Sequence, residues 1–300
     1  MDRRLLLQAL GGMAAGAFCK AGAAQPQRVM AKKIPSTGEA LPVIGVGTWQ
    51  TFDVGADASA RAQLREVLRL LNGNVVDSSP MYGSSESVAG DLIAELGMRD
   101  KLFMATKVWT RGRAEGIQQM EASFKRLRVK RMDLMQVHNL TDVETHTKTL
   151  LEMKRQKKIR YLGITHYTSS AYDEVERWLK TRQYDFLQIN YSLGERESEN
   201  RLLPMALDQK VAVIINRPFA EGALFRRIKG RPLPPWAAEL GIQSWAQYFL
   251  NWIVSHPAVT CAIPGTGNPK HMQDNLGAGT GELPSAQQRK QMAEYFDAQG

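Results

Sequence analysis

"NVVDSSPMYGSSES", residues 74 to 87, begins as a buried strand and ends as a helix start. An acid, Asp77, stands at the tip of the apolar run, and a phenol, Tyr82, stands five residues on. A strand that hands the chain straight to a helix is half of a repeating βα unit. Asp and Ser are ordinary residues at strand ends, and Tyr packs against most surfaces. The stretch therefore takes its meaning from what the rest of the chain sets beside it.

The same pattern recurs along the chain. Runs rich in Val, Ile and Leu stand at 43–49, 75–79, 102–108, 133–138, 161–167, 186–192, 211–218 and 261–266. Helical spacing appears near 57–71, 84–97, 114–128, 143–157, 170–182, 198–209, 236–255 and 269–276. Continuous apolar runs imply strands buried on both faces, hence a parallel sheet. Eight such units in 300 residues predict an α/β fold, a single (β/α)8 TIM barrel. An open doubly wound sheet is the competitor, but no G-x-G-x-x-G follows the first strand.

Composition sets the bounds. Apolar residues make up 43% of the chain, which is typical of folded globular proteins and not of disordered ones. The net charge of +9 is spread without a long Lys or Arg run. That describes a basic surface open to an anionic ligand, with no nucleic-acid motif behind it. Residues 1–24 read separately. They hold Arg3-Arg4, a short apolar stretch from Leu5 to Phe18, and Ala21-Gly22-Ala23 as a small-residue cleavage site. This is the pattern of a secretory signal peptide of twin-arginine type. Its apolar part is too short for a stable membrane anchor. The expectation is an exported, periplasmic bacterial protein that meets the export machinery through this segment, with 25–300 as the folded domain. Cleavage would remove Cys19 and leave Cys261 without a disulfide partner, so packing alone must hold the fold. No Cys/His cluster has metal-ligand spacing, so no metal is expected.

The strand runs end polar: Asp77, Lys107, His138, Thr165-His166, Gln188, Asn216-Arg217 and Gly265-Thr266. A barrel gathers such ends on one face, where its active sites lie. Adjacent strands are about 4.8 Å apart, so Asp77, Tyr82, Lys107 and His138 are able to converge. A buried Lys beside a phenol favours the phenolate and lowers its pKa. Asp77 would hold Lys107 charged, and His138 would hydrogen-bond a substrate oxygen. Together they form a proton donor and an oxyanion site for a carbonyl that takes up hydride.

"LPVIGVGTWQ", "VVDSSPMYGSSE", "MATKVW", "MDLMQVHN", "YLGITHY", "LQINYS" and "CAIPGTGNPKHMQDN" follow one another in the order seen in the aldo-keto reductases. The chain resembles that family from about residue 33 to 280. The resemblance implies an NAD(P)H-dependent oxidoreductase that reduces small-molecule carbonyls on a (β/α)8 barrel. It implies a catalytic tetrad of Asp77, Tyr82, Lys107 and His138, with Tyr82 as general acid. It implies that Thr165, His166 and Gln188 grip the nicotinamide carboxamide, that Asn216 and Arg217 flank the cofactor, and that Gly265, Thr266, His271 and Asn275 hold its adenosine end. NADPH is the cofactor expected, with NADH as the alternative.

The chain departs from the family pattern at several of these positions. His166 stands where Asn is usual, Asn216 where an aromatic ring commonly stacks, Gly265 where Lys is usual, and His271 where Arg is usual. The last two weaken the case for a 2′-phosphate, which Arg226, Arg227, Lys229 and Arg231 would have to offset. Asn139 follows His138 where many relatives carry Trp, opening one pocket wall, while Trp49, Phe52 and Trp109 are expected to line the pocket. Two other readings stay open: a cofactor-binding redox sensor with little turnover, and a sugar dehydrogenase working in the oxidising direction.

Overall fold

The computed structural model describes residues 29 to 299; residues 1–24, expected to be a signal peptide, lie outside them. An antiparallel hairpin of β1 (Ala31–Lys33) and β2 (Ala40–Pro42) precedes the barrel. The barrel strands are β3 (Val46–Gly47), β4 (Val75–Asp77), β5 (Phe103–Val108), β6 (Met132–His138), β7 (Ile159–Thr165), β8 (Phe186–Asn190), β9 (Ala212–Asn216) and β10 (Val259–Ala262). All neighbouring pairs run parallel and follow chain order. Parallel bridges from Ile44 to Ala262 and from Gly47 to Gly265 close the sheet on itself. The predicted barrel is therefore the observed one.

The helices around it are α1 (Ala58–Arg69), α2 (Ser85–Glu95), α3 (Arg113–Arg126), α4 (Val143–Arg155), α5 (Tyr172–Leu179), α6 (Leu202–Asp208), α7 (Ala223–Arg227), α8 (Trp245–Val254), α9 (Pro269–Gly277) and α10 (Ala286–Asp297). Among the described residues no helix is long and apolar enough to cross a membrane.

Alternation along each strand makes two cores. One register, including Val75, Phe103, Leu134, Tyr161 and Phe186, packs inside the barrel, and Ile34 and Leu41 of the hairpin belong to the same cluster. The other register, including Val76, Met104 and Met135, packs outward against Leu64, Val67 and Leu92 of the helices. Two glycines are required by this closeness. A Cβ on Gly45 would stand 2.7 Å from the Val75 carbonyl, and one on Gly163 would stand 2.8 Å from that of Phe186.

The inward register also decides where the polar ends go. Asp77 lies two residues after Val75, Lys107 two after Ala105, and His138 two after Gln136, so all three side chains emerge at the top of the barrel interior.

The helix expected over 236–255 is broken in the structure. A 3₁₀ segment, Pro235–Leu240, ends at Gly241, whose φ of +69° suits glycine, and the chain restarts at α8 with Ser244 as its cap. The last barrel strand is also shorter than expected, because Pro264 and Gly265 follow close behind it. The hairpin, the short α7 and the C-terminal α10 were not foreseen.

Candidate active site

A cavity of about 560 Å³ opens at the carboxyl ends of the strands. Asp77, Tyr82 and His138 line it, with Thr165, Gln188, Asn216, Arg217 and Gly265 on the far side. The loop from Gly47 to Thr51, together with Met81, Tyr167, Phe219 and Phe225, completes the wall.

Lys107 and Asp77 form the base of the site. The Lys107 ammonium donates to Asp77 Oδ2 at 2.6 Å and to the Ser78 carbonyl at 2.7 Å, and its side chain is 1% exposed. Such burial would drive a lone lysine to neutrality. Burial does act most strongly to lower its pKa, but the charge of the Asp77 carboxylate and the hydrogen bond to it, with Tyr82 adding to the effect, hold it above the ordinary value. Asp77 is pinned in turn: its other oxygen accepts from Gln136 Nε2 at 3.2 Å and from Gln188 Nε2 at 3.1 Å. Leaving either partner alone in this interior would strand a buried charge, so the pair stands or falls together.

Tyr82 lies above this pair. The Lys107 ammonium is 5.1 Å from its ring centroid, and the ring meets His138 edge-on at 5.8 Å. The sequence reading expected a phenol pKa below the ordinary value. The structure reverses that: burial raises it, and the positive charge of Lys107 only partly offsets the rise. The phenol keeps its proton. Burial also pushes His138 down to about 2, with the Lys107 charge adding to the effect, so the imidazole is neutral. His138 Nδ1 lies 2.9 Å from Ser79 Oγ.

The remaining expected residues divide. Thr165 and Gln188 do meet at the cavity wall, where Thr165 Oγ1 donates to Gln188 Oε1 at 3.0 Å. Asn216 donates to the His166 carbonyl at 3.0 Å, which leaves its Oδ1 buried without a partner among the described residues. Arg217, in the left-handed region at φ +49°, donates to the Tyr167 carbonyl at 2.9 Å and pairs with Glu221 at 3.3 Å.

His166 does not line the cavity. It follows inward-facing Thr165, and alternation turns it aside, where its ring stacks on Tyr167 at 5.4 Å. Thr266, His271 and Asn275 also lie outside the cavity wall. Thr266 is buried and accepts the Asn268 N–H, His271 is exposed on α9, and Asn275 is buried one turn on.

Of the expected apolar lining, Trp49 is at the mouth, 44% exposed. Trp109 is 43% exposed and meets the edge of His138 at 6.5 Å without lining the cavity wall. Phe52 is a correction. The turn from Thr48 carries it fully into the outer core, away from the pocket. Two of the loop cations are also committed elsewhere: Arg227 lies 4.3 Å over Phe296, and Arg231 donates to Gln299.

Sequence reasoning missed Gln136 and Ser79. The signal for Gln136 was the period-two register, since it stands two before His138 on the same strand. Tyr167 and Phe219 come from loops and Phe225 from the short α7, none of which carries a clear periodic signal.

Three comparisons place this arrangement among known proteins. The family model described as "Aldo/keto reductase family" matches residues 43–294. The methylglyoxal reductase YeaE of Escherichia coli is 31% identical over 268 residues, covering 85% of this chain and 92% of that protein. The NADH-specific methylglyoxal reductase of the same organism is 25% identical over 308 residues, covering 82% and 93%. A crystal structure of an aldo-keto reductase from Klebsiella pneumoniae with NADPH superposes with a TM-score of 0.74 at 26% identity, covering 90% of this chain and 96% of that one. On a match that spans most of its length, over a barrel of the matching topology, this chain belongs to the aldo/keto reductase family.

Proposed function

We propose that this protein reduces an aldehyde or ketone to the alcohol, using NADPH, with Tyr82 as the proton donor. The observation that carries the reading is the buried Asp77–Lys107 pair beneath Tyr82, whose ring meets His138 edge-on at one cavity.

The cavity suits a nicotinamide cofactor. The buried, unpartnered Oδ1 of Asn216 is an acceptor, and Thr165 Oγ1 has its proton committed to Gln188 and lone pairs to spare. Two acceptors on one wall match the amide N–H groups of a carboxamide. Gln188 has both ends of its own amide engaged, so it supports this wall through Asp77 and Thr165. A reduced nicotinamide, when bound, supplies the hydride to the carbonyl carbon. The chain does the rest. His138 donates to the carbonyl oxygen, Tyr82 passes its proton to that oxygen as charge develops, and Lys107 stabilises the phenolate left behind.

The related proteins divide on the cofactor: the Klebsiella structure holds NADPH, and one relative is named as NADH-specific. NADPH is the reading preferred here, with NADH as the alternative. Two relatives are named as methylglyoxal reductases, which supports a carbonyl substrate. The rim at Trp49, Met81 and Tyr167 suits one whose body is apolar. Residues 1–24 are read as a twin-arginine export signal that delivers the folded enzyme to the periplasm, on the strength of Arg3-Arg4 and the short apolar stretch after them.

The test is Tyr82→Phe, assayed by NADPH oxidation against a panel of aldehydes and ketones. The hydroxyl is the only group removed, so kcat should fall by about 100-fold or more. NADPH affinity, followed by fluorescence titration, should hold. Near-normal turnover would take Tyr82 out of the role.

A further inference from the structure

We propose that Ser79 is a positioning residue that fixes the tautomer of His138, so that the Nε2–H faces the substrate carbonyl. The proposal rests on the reading of His138 as a donor to that carbonyl.

The geometry leaves Ser79 little choice. Its side chain is fully buried, and its Oγ lies 2.9 Å from His138 Nδ1. The same oxygen accepts the backbone N–H of Met81 at 3.4 Å. Oγ has no other partner among the described residues. A hydroxyl carries one proton and needs an acceptor when buried. With Met81 already donating to Oγ, that acceptor is Nδ1. A neutral imidazole whose Nδ1 accepts must carry its proton on Nε2. His138 lines the cavity, and its Nε2 bonds to none of the described residues.

The opposite tautomer fails twice. It would make Oγ accept twice, from the Met81 N–H and from Nδ1–H, and leave the hydroxyl proton without an acceptor in a dry site. It would also turn a bare lone pair toward the carbonyl oxygen, where acceptor meets acceptor. The Ser79 hydroxyl thus converts a ring with two neutral forms into one oriented donor. The stretch from residue 74 to 87 then holds three linked parts: Asp77, Ser79 and Tyr82.

The test uses the full chain labelled with ¹⁵N-histidine. Long-range nitrogen–proton spectra read the tautomer directly and need no turnover, so the proposal and the reductase reading fail separately. In the native protein the expected signal is a protonated Nε2 and a bare Nδ1 at His138. Ser79→Ala should mix the two tautomers and lower kcat about 3- to 10-fold, the scale of one hydrogen bond. Cofactor affinity should stay unchanged. Ser79→Thr keeps the hydroxyl and should keep both the tautomer and most of kcat. A protonated Nδ1 in the native protein would overturn the proposal even if the alanine variant does not fold. So would an unchanged tautomer in Ser79→Ala.

Discussion

Tyr82 and His138 face one cavity, and burial moves both toward their uncharged forms. The pH dependence follows from the sign of each shift. In the proposed mechanism reduction needs the phenol protonated, a form present below its pKa and lost as pH rises through it. That pKa is raised above 10.0, so kcat for reduction should stay level through neutral pH and decline only on the far alkaline side. His138 is pushed down to about 2, so it contributes no acidic limb near pH 6.5. A kcat profile from pH 5 to 10.5 checks both points, and a limb near pH 6.5 would mean that His138 carries charge. At this scale Asp77, Lys107 and His138 were legible because each ends a strand and shares its inward register. Phe52 was misread because the direction of a side chain just past a strand depends on the turn, which composition does not reveal.

The hairpin of β1 and β2 closes the base of the barrel, away from the cavity. Ile34 and Leu41 complete the inner core, and Lys32 donates to the carbonyls of His256 and Val259 at 2.8 and 2.7 Å. Ile34 is fully buried, so Ile34→Ala would leave a cavity and cost about 2–4 kcal/mol. A thermal melt should show a midpoint lower by several degrees, while kcat at 25 °C stays unchanged. A loss of activity without a loss of stability would contradict the role as a base plug. The hairpin escaped notice because strands of three residues show no measurable period. The barrel strands were found because each is buried on both faces and so reads as a continuous apolar run. The helix over 236–255 was drawn too long because its two parts share an apolar pattern, and only the left-handed Gly241 separates them.

At the scale of the whole chain, the export reading has its own test. A signal of this type is a receptor-read address, independent of the fold. Arg3-Arg4→Lys-Lys should leave the precursor in the cytoplasm with its reductase activity intact, as cell fractionation would show. Unimpaired export would reject the twin-arginine route. The order of the motifs determined the family, the barrel and the residues at its strand ends, because burial and period two are written locally in each strand. Tertiary structure alone decided the rest. The direction of the Tyr82 shift is a contest between desolvation and the Lys107 charge, and its outcome depends on how deeply the phenol is buried. The link from Ser79 to His138 joins residues 59 apart, and the stacking of His166 on Tyr167 turns on a loop conformation. The first two are distances across space, set only when the sheet closes and carries β4, β5 and β6 side by side.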